Sequence, residues 1–135
     1  WEEDLKYFFY RYEEYLCHQA KRKISSEVWE QIWSKSAYTS IEHIHPQEVS
    51  KDWKGKLPGK NGVINNIHRI GNLAILPPNE NSKIGQKSFD EKKKTYGKSG
   101  LLLFNEIIKE KDWDKSTIDL RENNLLDWAK KEWAA

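Results

Sequence analysis

Two short β-rich stretches, residues 39–45 and 72–76, stand in a chain whose other apolar residues recur at helical spacing. Two strands cannot build a core alone, so the flanking helices must cover them, and the expected class is α+β, mostly helical. Upstream, residues 2–22 place Leu5, Phe8, Phe9, Tyr12, Tyr15 and Leu16 on one helical stripe. Ser25 or Ser26 can cap a second, short helix bearing Val28, Trp29, Ile32 and Trp33. Downstream, a helical turn should begin near Asn79, stall at Gly85 and restart at Ser88, where Ser88-Phe89-Asp90-Glu91 has the form of a capping box. Residues 101–111 and 116–133 read as closing helices, the last turning Ile118, Leu125, Trp128, Ala129 and Trp133 inward. The connection between the strands contains Lys-Gly-Lys-Leu-Pro-Gly-Lys-Asn-Gly at 54–62 and cannot be regular throughout. It is long for a hairpin loop, and long loops in compact domains are often functional.

A length of 135 residues with 37% apolar content suits one domain, 1–135, with one core. Seven Trp, six Tyr and four Phe supply bulky anchors for it. There is no Met, and a helical pattern is already under way at Trp1, as expected of a piece of a longer protein. The single cysteine, Cys17, excludes an internal disulfide and a Cys-rich zinc site. No run approaches the ~18 apolar residues of a membrane span and no signal-peptide pattern is present, so a cytoplasmic setting without membrane contact is expected.

The net charge of +2 is unevenly spread. Residues 45–98 carry eleven Lys/Arg against five Asp/Glu, whereas 1–44 and 99–135 each carry six against eight. Proteins that hold phosphates need such local positive potential more than a high global charge. A solvated lysine face is the plain alternative for any one run, including Lys92–Lys94, which would at most steer a polyanion.

Within that basic segment lies Ser40-Ile41-Glu42-His43-Ile44-His45-Pro46-Gln47, followed by Gly71-Asn72-Leu73 and Asn79-Glu80-Asn81-Ser82-Lys83. A carboxylate, an imidazole and a distal carboxamide are the parts needed to hold one hard cation and deprotonate a water beside it. His43 suits a general base, since an imidazole pKa of about 6.5 leaves it mostly neutral at pH 7. Activity resting on such a base should fall below roughly pH 6. Glu42 and Asn81 offer oxygens for Mg²⁺ or Mn²⁺, one ion per site, and Asn72 could tie the connection to the first strand. The bland readings are a core or surface histidine, a turn residue at Asn72 and a helix cap at Asn81. Neighbours in a regular strand also point to opposite faces, so Glu42 and His43 can share a metal only if the strand ends or bulges there. Pro46 makes a nearby end plausible.

The order Ile41–Gln47, His68–Leu76, Asn81–Lys83, Phe89–Tyr96 and Trp113–Arg121 resembles the GmrSD-type HNH endonucleases. These are C-terminal nuclease domains of modification-dependent type IV restriction enzymes and related phage-defence proteins. The same pattern is similar to the HNH domains of CRISPR effector nucleases. The resemblance implies a ββα-metal finger, roughly 39–97, embedded in a helical domain. It implies His43 as general base, Glu42 and Asn81 on the metal, and Asn72 as the loop-bracing Asn. DNA is the implied substrate, with His68, Arg69, Lys83 and Lys87 the nearest candidates to grip phosphates. An N-terminal nucleotide-hydrolysing sensor domain of the same protein is the implied partner. His45 stands where an aliphatic residue is expected, which leaves its role open. A catalytically inactive nucleic-acid-binding module and a protein-interaction domain are the alternatives.

Overall fold

The structure is a computed structural model that describes residues 1–35 and 37–134, without the side chains of 37 and 38. Helix α1 (Glu2–Gln19) opens on Glu2, Glu3 and Asp4, three carboxylates at the positive end of the helix dipole. Its buried face holds Leu5, Phe9, Tyr12 and Cys17, while Tyr15, expected inward, is on the surface. The same face carries two charged residues. The Lys6 ammonium donates to the Lys35 carbonyl at 2.9 Å. The Glu13 carboxylate accepts from the backbone N–H groups of Leu102 and Leu103, each at 2.8 Å. Residues 101–111, expected as one closing helix, are divided. A 3-10 turn at Leu102–Phe104, whose first N–H groups Glu13 caps, leads into a short α7, Asn105–Ile108.

Helix α2 (Ser26–Trp33) buries Trp29 and Ile32, and α3 (Ala37–Ser40) leads straight into strand β1, Ile41–His43. Strand β2 (Leu73–Ile75) pairs with it antiparallel, Ile41 opposite Ile75, Glu42 opposite Ala74 and His43 opposite Leu73. Both strands are shorter than the β-rich stretches, because Ser40 ends α3 and Asn72 ends a 3-10 turn. Ile41, Ile44 and the run Leu73–Leu76 are all buried.

The connection between the strands is anchored along its length rather than free. A 3-10 turn at Lys51–Trp53 inserts Trp53, whose indole N–H donates to the Lys87 carbonyl at 2.8 Å. Helix α4 (Gly62–Asn66) follows, then buried Ile67 and a 3-10 turn at Ile70–Asn72. After β2 come α5 (Pro78–Ile84), stopped by Gly85 at φ +27°, and α6 (Phe89–Gly97). The Ser88 hydroxyl accepts from the Glu91 N–H at 3.3 Å and starts α6 where its sequence places it. Among the described residues, helix α4 and two 3-10 turns thus lie between the strands, and α5 follows β2.

The last helix, α8 (Lys115–Glu132), begins with a reciprocal box between Asp114 and Thr117. It lies against the Ile70–Asn72 turn so closely that a Cβ on Gly71 would collide with the Ile118 carbonyl oxygen. Arg121 fastens the same contact, donating to the carbonyls of Gly71 at 3.1 Å and Leu73 at 2.6 Å. Trp133, expected inward, stays largely outside. The far helix therefore sets where β2 begins, which matters for the site on β1.

Candidate active site

Strand β1 separates two environments. Leu76 N–H donates to the Ser40 carbonyl and Ile44 N–H to the Asn72 carbonyl, each at 2.9 Å, so even-numbered backbone groups face β2. The odd-numbered carbonyls lie on the outer edge, and side chains cover them together with the Ile44 carbonyl just past the strand. The Asn81 carboxamide on α5 donates to the carbonyls of Thr39 and Ile41, both at 2.9 Å. The Lys92 ammonium on α6 donates to those of His43 at 2.8 Å and Ile44 at 3.0 Å. An exposed strand edge is thereby closed by two helices.

Glu42 points inward. Its carboxylate, 3% exposed, accepts from Lys92 Nζ at 3.2 Å and from the Tyr96 hydroxyl. Burial pushes the Glu42 carboxyl up while the Lys92 charge pulls it down. Burial likewise lowers the Lys92 ammonium against the pull of Glu42. Lys92 has three acceptors for its three protons, so the pair stands as ammonium and carboxylate. Tyr96 keeps its proton, since burial and Glu42 both raise it well above the usual phenol value. Lys92 is therefore no solvated steering residue. Phe89, Lys92 and Tyr96 recur at helical spacing on the buried face of α6, and that spacing was the signal available in the sequence.

His43 lies on the other side of the strand, half-buried, with Nε2 at 3.0 Å from Nδ1 of His68. The rings meet edge to face, centroids 5.0 Å apart at 80°. Burial, His68 and Lys92 together lower the His43 imidazole to about 4. It is neutral at pH 7 and can accept a proton.

Asn72 is fully buried and uses its whole carboxamide. Its oxygen accepts from the His45 backbone N–H at 2.8 Å and the Trp113 indole N–H at 2.9 Å. Its nitrogen donates to the carbonyls of His45 at 3.0 Å and Ile67 at 2.9 Å. One side chain thereby joins the exit of β1, the end of the connection and the loop before α8. His45 faces inward, its ring tilted against Trp53 at 58°, with Nδ1 at 2.8 Å from the Pro46 carbonyl. It shares no surface with His43.

The candidate phosphate grips divide. The Arg69 guanidinium is taken up by Asp119 at 2.6 Å, Glu122 at 2.6 Å and Asn66 at 2.9 Å. It clamps the turn to α8 and is not free for a phosphate, which corrects the expectation from its position. Lys83 and Lys87 are exposed. His68 is exposed but engaged with His43.

A cation on Glu42 and Asn81 together does not fit this arrangement. The Glu42 carboxylate is buried on Lys92 and Tyr96, on the face of β1 opposite His43, as strand alternation requires. The strand does not bulge to bring it round. The Asn81 amide nitrogen is committed to β1, and its oxygen carries no hydrogen bond among the described residues. Among those residues no group of three or more His, Cys, Asp or Glu is clustered to hold a metal ion. A surface cavity of about 450 Å³, lined by Arg11, His18, Arg22 and Glu132 among others, lies elsewhere.

The family model of the GmrSD restriction endonucleases, C-terminal domain, matches residues 1–128. The chain belongs to this family. No curated protein and no solved structure matches it. The GmrSD C-terminal match runs from α1 to Trp128 on α8, so the helical surround is as much part of the family domain as the two strands. Membership carries a restriction-endonuclease role for a domain of this kind. Among the described residues no helix is long and apolar enough to cross a membrane.

Proposed function

We propose that this domain is an HNH-type DNA endonuclease in which His43 is the general base. The observation that carries the reading is the His43 side chain itself, half-buried on the face of β1 away from Glu42, with one ring nitrogen 3.0 Å from His68 and the other without a hydrogen bond among the described residues. His43 takes a proton from water. The resulting hydroxide attacks phosphorus as the bond to the 3′ oxygen breaks, and that oxygen takes a proton from solvent. The products are a 5′-phosphate and a 3′-hydroxyl. Asn72 holds the backbone from which His43 projects and does not touch the substrate, being buried. Lys83 and Lys87 contribute positive potential for the phosphodiester track.

Cleavage is proposed to need a divalent cation, Mg²⁺ or Mn²⁺, because phosphodiesters are among the slowest bonds to hydrolyse. Glu42 does not supply its seat, and the Asn81 oxygen is the side-chain donor of the expected pair that remains open. In the cell the substrate is modified or foreign DNA, with recognition supplied by a nucleotide-hydrolysing sensor domain of the same protein. Plasmid nicking tests the reading. Conversion of supercoiled DNA with Mg²⁺ or Mn²⁺, and none in EDTA, is the expected result. DNA binding without conversion under any of these ions would contradict it and favour an inactive binding module.

A further inference from the structure

We infer that His68 is a positioning residue for His43: its Nδ1 accepts the Nε2–H of His43 and so leaves Nδ1 of His43 as the nitrogen that takes the proton. The inference rests on the assignment of His43 as base.

The geometry starts from the side-chain hydrogen bonds. His43 makes one among the described residues, to His68 at 3.0 Å. One hydrogen lies between the two ring nitrogens, so one ring donates and the other accepts. Were His68 the donor, its proton would occupy the Nε2 lone pair and His43 would carry its own proton on Nδ1. No acceptor nitrogen would then remain for water. A working base requires the other polarity, with His43 donating and His68 in the tautomer protonated on Nε2, which lies on the exposed side chain. The partner of one ring nitrogen thus decides the chemistry of the other.

His68 is exposed, yet its backbone is pinned on both sides. Ile67 before it is buried and gives its carbonyl to Asn72 at 2.9 Å. Arg69 after it is clamped to Asp119 and Glu122 on α8. Helix α8 and Asn72 therefore deliver the His68 ring to a set place, as a second residue holding the first must be held itself. The arrangement also accounts for Arg69, which buries its charge in carboxylates beside the site instead of offering it to DNA. His68 then acts through His43 rather than on a phosphate.

The two roles separate in kinetics. A lost phosphate contact weakens DNA binding and raises KM, whereas a lost orienting bond lowers kcat. His68→Ala should lower kcat by about 5- to 10-fold, the worth of one hydrogen bond. KM and DNA affinity should stay within about two-fold. His68→Asn, whose side-chain oxygen can stand near the lost Nδ1, should recover most of the rate. Imidazole ¹⁵N spectra of the wild-type protein should place the His43 proton on Nε2, and His68→Ala should shift that resonance. A raised KM with unchanged kcat, an Asn variant no better than Ala, or a His43 proton on Nδ1 would each overturn the inference. The spectra need no cleavage, so they distinguish this failure from that of the base itself. Retained cleavage in a folded His43→Ala protein would sink the base, while a misplaced proton would remove only His68.

Discussion

Glu42 and His43 are adjacent, and the strand puts them in different worlds. Glu42 sits in a dry network with Lys92 and Tyr96 in which the Lys92 donors are all used. His43 is half-buried, with one side-chain hydrogen bond among the described residues and a ring nitrogen to spare. A buried, satisfied polar cluster fixes geometry, whereas a partly satisfied group at the surface can exchange protons. On the proposed function, the inner face of β1 is scaffold and the outer face carries the chemistry. The motif that reads as one site in sequence is divided by alternation into these two functions.

The largest effect expected is on the inner face. Lys92→Met should destabilise the fold by about 3–5 kcal/mol, since it strands a buried carboxylate and bares three acceptors. Urea unfolding measures it, and a loss under ~1 kcal/mol would mean that the network is not what holds the strand. Gly71→Ala follows at about 2–3 kcal/mol, because the new methyl meets the α8 backbone, which has no rotamer to yield. Glu42→Gln should cost about 1–3 kcal/mol, leaving Lys92 short of a charged partner. Its use of Mg²⁺ should be unchanged, and a lost metal response would return Glu42 to the outer face.

The pH dependence sharpens the comparison from the other side. With the His43 imidazole near 4, cleavage should persist below pH 6 and fall only as pH approaches that value. An ordinary imidazole would lose activity nearer 6.5. The native state binds fewer protons than the unfolded chain between those values. His43 therefore contributes stability that is complete above about 6.5 and is lost as pH falls through the window toward 4. A rate profile breaking near 6.5 would show that the ring is better solvated than its burial implies. The smallest effect concerns the lysines. DNA affinity should fall with salt at a slope of about −0.9 per phosphate neutralised, with roughly three to five phosphates engaged. Charge reversal of Lys83 and Lys87 should flatten that slope, and reversal of Lys130 and Lys131 should not.

Much of this was legible before the fold. Helical spacing gave α1 and α2, Ser88 gave the start of α6, and the β-rich stretches gave the two strands in their order. The division of Glu42 from His43 was readable too, in the alternation of a strand. What was hidden depends on contacts between distant segments. Nothing local says that Glu13 takes the N–H groups of Leu102 and Leu103 at the start of a 3-10 turn and a short helix. Lys92 looks solvated inside a lysine run, because only the partner carboxylate makes burial of its charge tolerable. Arg69 looks free until α8 brings Asp119 and Glu122 to it. The approach of His68 to His43 depends on the path of the connection, and its turns are set by Asn72, Trp53 and α8 rather than by their own sequence.

Cleavage by a folded His43→Ala protein tests the central claim most directly. Its far-UV spectrum and urea midpoint should match the wild type, because the ring is outside the core. Its cleavage rate should fall by about 10²–10⁴-fold with DNA affinity retained, the range for a positioned acid–base group. A rate within a few-fold of wild type would contradict the account and move the base to another residue.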